Sequence, residues 1–163
     1  MMKHAAVMTA VAIFVTSACS DLPGTSFKPG NDRMPTPIET VTAFSAAISK
    51  DNGRTAIRRW FTPETVWVNE GVATTRGIEE AIAFLDRPGR SPEIAAVHFD
   101  MLAIAVDGNS VLTERLDRFV RADGSEVAAI KLMGIFEVDG DHIVAWRDYA
   151  DVNAGAKIAR KRE

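Results

Sequence analysis

Residues 107–149 read DGNSVLTERLDRFVRADGSEVAAIKLMGIFEVDGDHIVAWRDY, and this stretch decides the fold. Asp107-Gly108, Asp123-Gly124 and Asp139-Gly140 recur sixteen residues apart. Asp-Gly is a hairpin dipeptide, because glycine and aspartate tolerate the left-handed backbone that tight turns between antiparallel strands require. The segments between and beside these turns are rich in Val, Ile, Phe and Thr, so three turns predict an antiparallel meander of four strands. No longer repeat is present beyond this turn spacing.

Upstream of the meander the apolar period changes from two to about four. Thr36-Pro37-Ile38-Glu39 joins an N-cap, a proline in the first helical position and a glutamate three residues on, and Ile38, Val41, Phe44 and Ile48 follow at helical spacing. This helix is expected to run to Asn52-Gly53. Arg54–Trp60 reads as a second, shorter helix, residues 65–69 as an extended run, and Gly77–Leu85 as a third helix with Ile78, Ala81, Ile82 and Leu85 on one face. Helices first and strands afterwards predict an α+β fold, with N-terminal helices packed on a strongly curved, mainly antiparallel sheet. Such a sheet cups a pocket between itself and the helices.

Composition narrows the function. The chain has 163 residues, 47% hydrophobic and 25% charged, with a formal charge of -3, which describes one globular domain and excludes a basic groove for nucleic acid. A single cysteine excludes a disulfide framework, and three scattered histidines supply no metal-ligand spacing. His98 and His142 read as exposed or capping residues.

The first residues form an address. One lysine precedes the apolar run of residues 5–18, which ends in Thr16-Ser17-Ala18-Cys19 and is too short to span a bilayer. Small residues before a lone cysteine resemble the lipobox of bacterial lipoproteins, which implies cleavage after residue 18 and a lipidated Cys19. Simple signal cleavage near Ala18, leaving a free thiol, is the alternative. Ser20 and Asp21 after the cysteine fit an exported envelope lipoprotein on the periplasmic face of the outer membrane. Residues 19–36 read as the lipidated cysteine and a Pro- and Gly-rich tether, 37–152 as the folded domain and 153–163 as a basic tail.

Within the meander, Val111, Thr113, Arg115, Asp117 and Phe119 alternate onto one strand face, while Val144, Trp146 and Asp148 share a face on the last strand. By spacing alone, an Arg-x-Asp pair is more often a cross-strand or surface ion pair. If both faces turn into the pocket, however, one guanidinium lies between two carboxylates in a dry place. The uncompensated charge is then disfavoured, and one aspartate holds a proton near neutral pH. A protonated acid beside an ionised base is what a concerted addition of water requires.

The motifs LTERLD at 112–117, GIFEV at 134–138 and IVAWRDY at 143–149, together with Val66-Trp67-Val68-Asn69 and Arg76-Gly77, closely resemble the limonene-1,2-epoxide hydrolase family. The resemblance implies the cone-shaped fold of nuclear transport factor two-like and SnoaL-like proteins. It further implies one-step hydrolysis of an epoxide by an Asp-Arg-Asp triad, without cofactor, metal or covalent intermediate. Matched by position, Asp148 resembles the base that activates water, Arg115 the bridging cation, Asp117 the acid that protonates the epoxide oxygen, and Asn69 the amide that positions the water. Trp67 stands where the family has a water-binding tyrosine, and an indole donates a hydrogen bond without accepting one.

Trp67, Met133 and Trp146 are expected to wall the substrate pocket. The implied partners are a small hydrophobic epoxide, water and, through Cys19, a membrane; a homodimer through the outer sheet face bearing Leu112 and Leu116 is a further candidate. Two other classes fit the same fold: a non-catalytic carrier of a hydrophobic ligand in the cell envelope, and an isomerase or cyclase in which a carboxylate removes a carbon-bound proton.

Overall fold

The capping box that opens the domain forms as the sequence requires. In the computed structural model, which describes residues 33–87 and 93–151, Pro37–Ala47 is helix α1, with Glu39 N donating to Thr36 Oγ1 and Thr36 N donating back to Glu39 Oε2. Cys19, the signal, the tether as far as residue 32 and the basic tail lie outside the described residues. Helix α1 ends earlier than its apolar period predicts, because Asp51, Asn52 and Gly53 all take positive φ, at 48°, 54° and 82°. That left-handed run breaks the helix into a short 3₁₀ turn, Lys50–Gly53, before α2 (Arg54–Trp60) begins.

The remaining elements are β1 (Phe61–Asn69), β2 (Ala73–Arg76), α3 (Gly77–Leu85) and the four-stranded meander β3 (Ala96–Asp107), β4 (Ser110–Val120), β5 (Glu126–Asp139) and β6 (His142–Ala150). They form one six-stranded sheet in the order β2-β1-β6-β5-β4-β3. All pairs are antiparallel except β1 with β6, which run parallel. Hairpin signals cannot announce that pairing, since it joins strands at opposite ends of the domain. Thr65 helps to pin it, donating Oγ1 to Ile143 O at 2.6 Å from a fully buried position.

The helices cover the inner face of the sheet. Phe44 of α1 is buried and touches the rings of Phe61, Phe136 and Trp146 at centroid distances of 6.0, 6.0 and 5.4 Å. Gly77, where β2 turns into α3, has φ +74°, and a Cβ there would stand 2.5 Å from Pro63 O. Only glycine allows that close crossing. The fold is the expected α+β arrangement of helices on a curled, mainly antiparallel sheet.

Candidate active site

Strand alternation carries the charged residues inward. Val111, Thr113, Arg115 and Asp117 of β4 are all buried, whereas Leu112 is exposed. On the parallel strands β1 and β6, Trp67 is in register with Trp146, and two residues further along Asn69 is in register with Asp148. A cavity of about 350 Å³ opens between this face and the helices. Trp67, Asn69, Asp117 and Asp148 line it, with Ile48, Phe84, Leu85, Phe99, Ile130 and Leu132 among the apolar walls.

Arg115 is 0% exposed and lies behind the two aspartates. Its Nε donates to Asp117 Oδ1 at 3.1 Å and its Nη2 to Asp117 Oδ2 at 3.3 Å, while Nη2 also donates to Asp148 Oδ1 at 2.9 Å. The guanidinium sits over the Phe99 ring, 4.3 Å from its centroid, so aromatic faces replace part of the lost hydration. Burial opposes its charge, yet the two aspartates outweigh burial and raise its pKa.

Burial pushes both carboxylates upward. Asp148 rises to about 6, with Arg115 pulling down and Asp117 pushing further up; Asp117 rises as well, again chiefly through burial. The three groups form one coupled unit that favours a single shared proton. Burial favours the proton on either carboxyl, and Arg115 opposes it at both.

Two residues that the motif reading left without a role complete the cluster. Thr113 Oγ1 accepts from Arg115 Nη1 at 3.3 Å and donates to Gly134 O at 3.2 Å. Gly134 provides the space in which the triad meets: a Cβ there would stand 2.6 Å from Arg115 Nη1 and 2.8 Å from both Asp148 Oδ1 and Thr113 Oγ1. A glycine placed between two apolar strand residues and opposite Thr113 was the signal available.

Two of the expected pocket walls stand elsewhere. Met133 is 50% exposed on the outer face of β5, because the alternation that sends Leu132 and Gly134 inward sends Met133 outward; Leu132 takes the wall position. Trp146 is buried behind the cavity, stacked on Trp67 at 4.5 Å and 4° and on Phe136 at 5.2 Å. Its Nε1 donates to Asp148 Oδ1 at 2.7 Å. Trp67 does line the cavity, and its buried Nε1 has no hydrogen-bond partner among the described residues. Among the described residues no group of His, Cys, Asp and Glu is placed to hold a metal.

The sequence pattern of the family described as limonene-1,2-epoxide hydrolase catalytic domain matches residues 35–159. Epoxide hydrolase EphG of Mycobacterium tuberculosis is 36% identical over 90 residues, a segment that spans 55% of this chain and about half, 56%, of that relative. A solved M. tuberculosis LEH-like epoxide hydrolase superposes with a TM-score of 0.62 at 27% identity, covering 77% of this chain and 90% of the other. A SnoaL-like polyketide cyclase from Shewanella putrefaciens, at 14% identity, shares the fold with a TM-score of 0.65 over 79% of this chain and 99% of its own. Since the matched pattern spans the whole described domain and its strands carry the buried Asp-Arg-Asp cluster, this chain belongs to the limonene-1,2-epoxide hydrolase family, for which epoxide hydrolysis is the family-level activity.

Proposed function

We propose that this protein hydrolyses a small hydrophobic epoxide to a diol in one step, with Asp148 as base, Asp117 as acid, Arg115 as the bridge between them and Asn69 as the residue that positions the water. The observation that carries this reading is the buried Asp117-Arg115-Asp148 unit, in which both aspartates border the cavity and the arginine does not. Asp148 Oδ1 already accepts from Arg115 and Trp146. Oδ2 is left to take a proton from water, and Asn69 stands in register beside it on β1.

In the step proposed, the water oxygen forms a bond to one epoxide carbon as its proton passes to Asp148. The C–O bond breaks, and the departing oxygen takes the proton of Asp117. The product is a diol; the pair has moved one proton from Asp117 to Asp148 and resets by exchange with solvent. The reactive microstate therefore carries its proton on Asp117. Water held at Asn69 and Asp148, with an epoxide oxygen against Asp117, favours that form because each proton then has its acceptor. No cofactor enters the step.

Trp67 is the departure from the family pattern. Its N–H is buried without a partner among the described residues, and an indole only donates where a tyrosine hydroxyl would also accept. That replacement favours a second reading, a carrier whose ligand is not turned over. Likeness of fold to a cyclase carries no activity by itself.

Turnover of cyclic and aryl epoxides in oxygen-18 water tests the choice. Diol formation, with label entering from water in a single turnover and lost in Asp148→Asn and Asp117→Asn, supports hydrolysis. Folded variants with near-normal rates would refute it. Attachment to the envelope through Cys19 and pairing of two copies across the outer sheet face, where Leu112, Met133 and Tyr149 are exposed, are further parts of this proposal; radiolabelled palmitate incorporation and sedimentation test them.

A further inference from the structure

The triad accounts for the carboxylates on the cavity floor and leaves two charged residues of its lining without a role, Arg87 and Glu70. Arg87, just beyond the end of α3, lines the cavity. Its guanidinium lies over the Phe84 ring at 3.8 Å from the centroid, and its Nη1 donates to Phe84 O at 2.8 Å. The adjacent acid, Asp86, is engaged with Arg54, and no carboxylate pairs with Arg87 among the described residues. Arg87 is exposed, and burial of the part covered by its neighbours lowers its pKa.

The Phe84 ring meets the Trp67 ring edge-on at 5.1 Å, and Trp67 lies beside the strand that carries Asp148. Two rings thus separate the cation from the reacting end of the cavity. Apart from the bond to Phe84 O, the donors of this exposed guanidinium have no acceptor among the described residues, so they are open to a ligand that reaches this end of the cavity.

We propose that the substrate carries a carboxylate at the end remote from its epoxide, and that Arg87 binds it. This rests on the hydrolase reading of the floor and names the substrate class for that same site, a medium-chain epoxy acid. A planar anion with two oxygens suits the donors that Arg87 has left after Phe84 O is served. A tetrahedral dianion calls for additional cations, and among the described residues no other lysine or arginine lines the cavity. The volume of about 350 Å³ lies at the small end of ligand pockets, which excludes burial of a long acyl chain. Glu70, exposed at the turn after β1, also borders the cavity and would select a cationic end group instead.

The test uses the full chain with omega-epoxydecanoic acid, its methyl ester and omega-epoxydecylamine. The acid is expected to exceed the ester about tenfold in kcat/KM, mainly through KM, with the gap narrowing as salt is added. Arg87→Gln should remove that preference, so that acid and ester differ by less than about twofold in kcat/KM in the variant. Equal turnover of acid and ester by the parent, or preference for the amine, overturns the proposal. Decanoic acid, which has no epoxide, separates this idea from the hydrolase reading: it should raise the Tm of the parent and not that of Arg87→Gln, whether or not any epoxide is hydrolysed. An equal shift in both proteins, or none in either, refutes the carboxylate site.

Discussion

Replacing Gly134 by alanine adds one methyl group at the point where the triad converges. The added carbon would stand 2.6 Å from Arg115 Nη1 and 2.8 Å from Asp148 Oδ1 and Thr113 Oγ1, each well inside ordinary contact. Gly134 is not among the positive-φ glycines, so backbone strain does not enter and the whole effect lies in these contacts. Arg115 cannot retreat easily, being fully buried and held by Asp117, Asp148 and the Phe99 face. Overpacking of this kind costs about 1–3 kcal/mol, and loosening one arm of a buried ion pair adds to it. A stability loss of about 2–4 kcal/mol is therefore expected in urea titrations. Turnover should fall on the order of a hundredfold, because the two carboxylates must part by a fraction of an ångström to an ångström. Gly124→Ala is the control: its Cβ would meet nothing within 4 Å, at φ +84°, so it should lose some stability and keep its rate. If Gly134→Ala keeps both stability and rate, the packed triad geometry described above is wrong.

Three other outcomes follow from the charges. Because the proposed reaction uses the singly protonated pair, kcat/KM should trace a bell whose alkaline limb, the loss of the last shared proton, lies above the ordinary carboxyl range because burial raises both aspartates; a rate still rising through pH 8 would refute the acid role of a carboxyl. Trp146→Phe keeps a ring in the stack and removes the N–H donated to Asp148 Oδ1. The anion then loses a donor, its pKa rises further, and the alkaline limb should move to higher pH; an unmoved limb would show that this bond does not tune the base. Asp148→Asn should abolish turnover and also change how stability depends on pH. Since the folded pKa of Asp148 lies above that of an unfolded aspartate, its contribution is present in full below about pH 4 and is lost as pH rises through about 6, on the order of 3 kcal/mol in all. The variant should lack that decline, and parallel curves for the two proteins would contradict it.

The meander was legible because its turns are local: Asp107-Gly108, Asp123-Gly124 and Asp139-Gly140 each close a hairpin, and strand alternation then places Arg115 and Asp117 on one face. Helices α2 and α3 were equally plain from period and punctuation. The four residues β2 adds at the edge are too few for a pattern, and the parallel β1–β6 pair depends on contacts across the whole domain. Met133 was misplaced because size and hydrophobicity suggested a wall, while the period of two puts it beside Tyr149 on the outside. Trp146 was misjudged more subtly. Its face was right, but Trp67 lies in front of it, and only the parallel pairing reveals that the two indoles stack.

That stack bears on where water is held. Two indoles lie in register on β1 and β6; one donates to the carboxylate two residues along its own strand, and the other has a buried donor with no partner. Buried polar atoms in folded proteins nearly always have partners, and Trp67 Nε1 is an exception among the described residues. The registered neighbours of this pair are Asn69 and Asp148, whose Oδ2 is likewise without a partner among the described residues. Under the proposed mechanism a water gives its hydrogens to Asp148 Oδ2 and Asn69 Oδ1, and Trp67 supplies the ring against which Trp146 stacks while aiming its N–H at Asp148. Trp67→Phe removes a buried donor that has no partner among the described residues and keeps a ring against Trp146, so kcat and KM should both stay within about threefold of the parent; a large fall in kcat with KM unchanged would show that the indole N–H serves the reacting water.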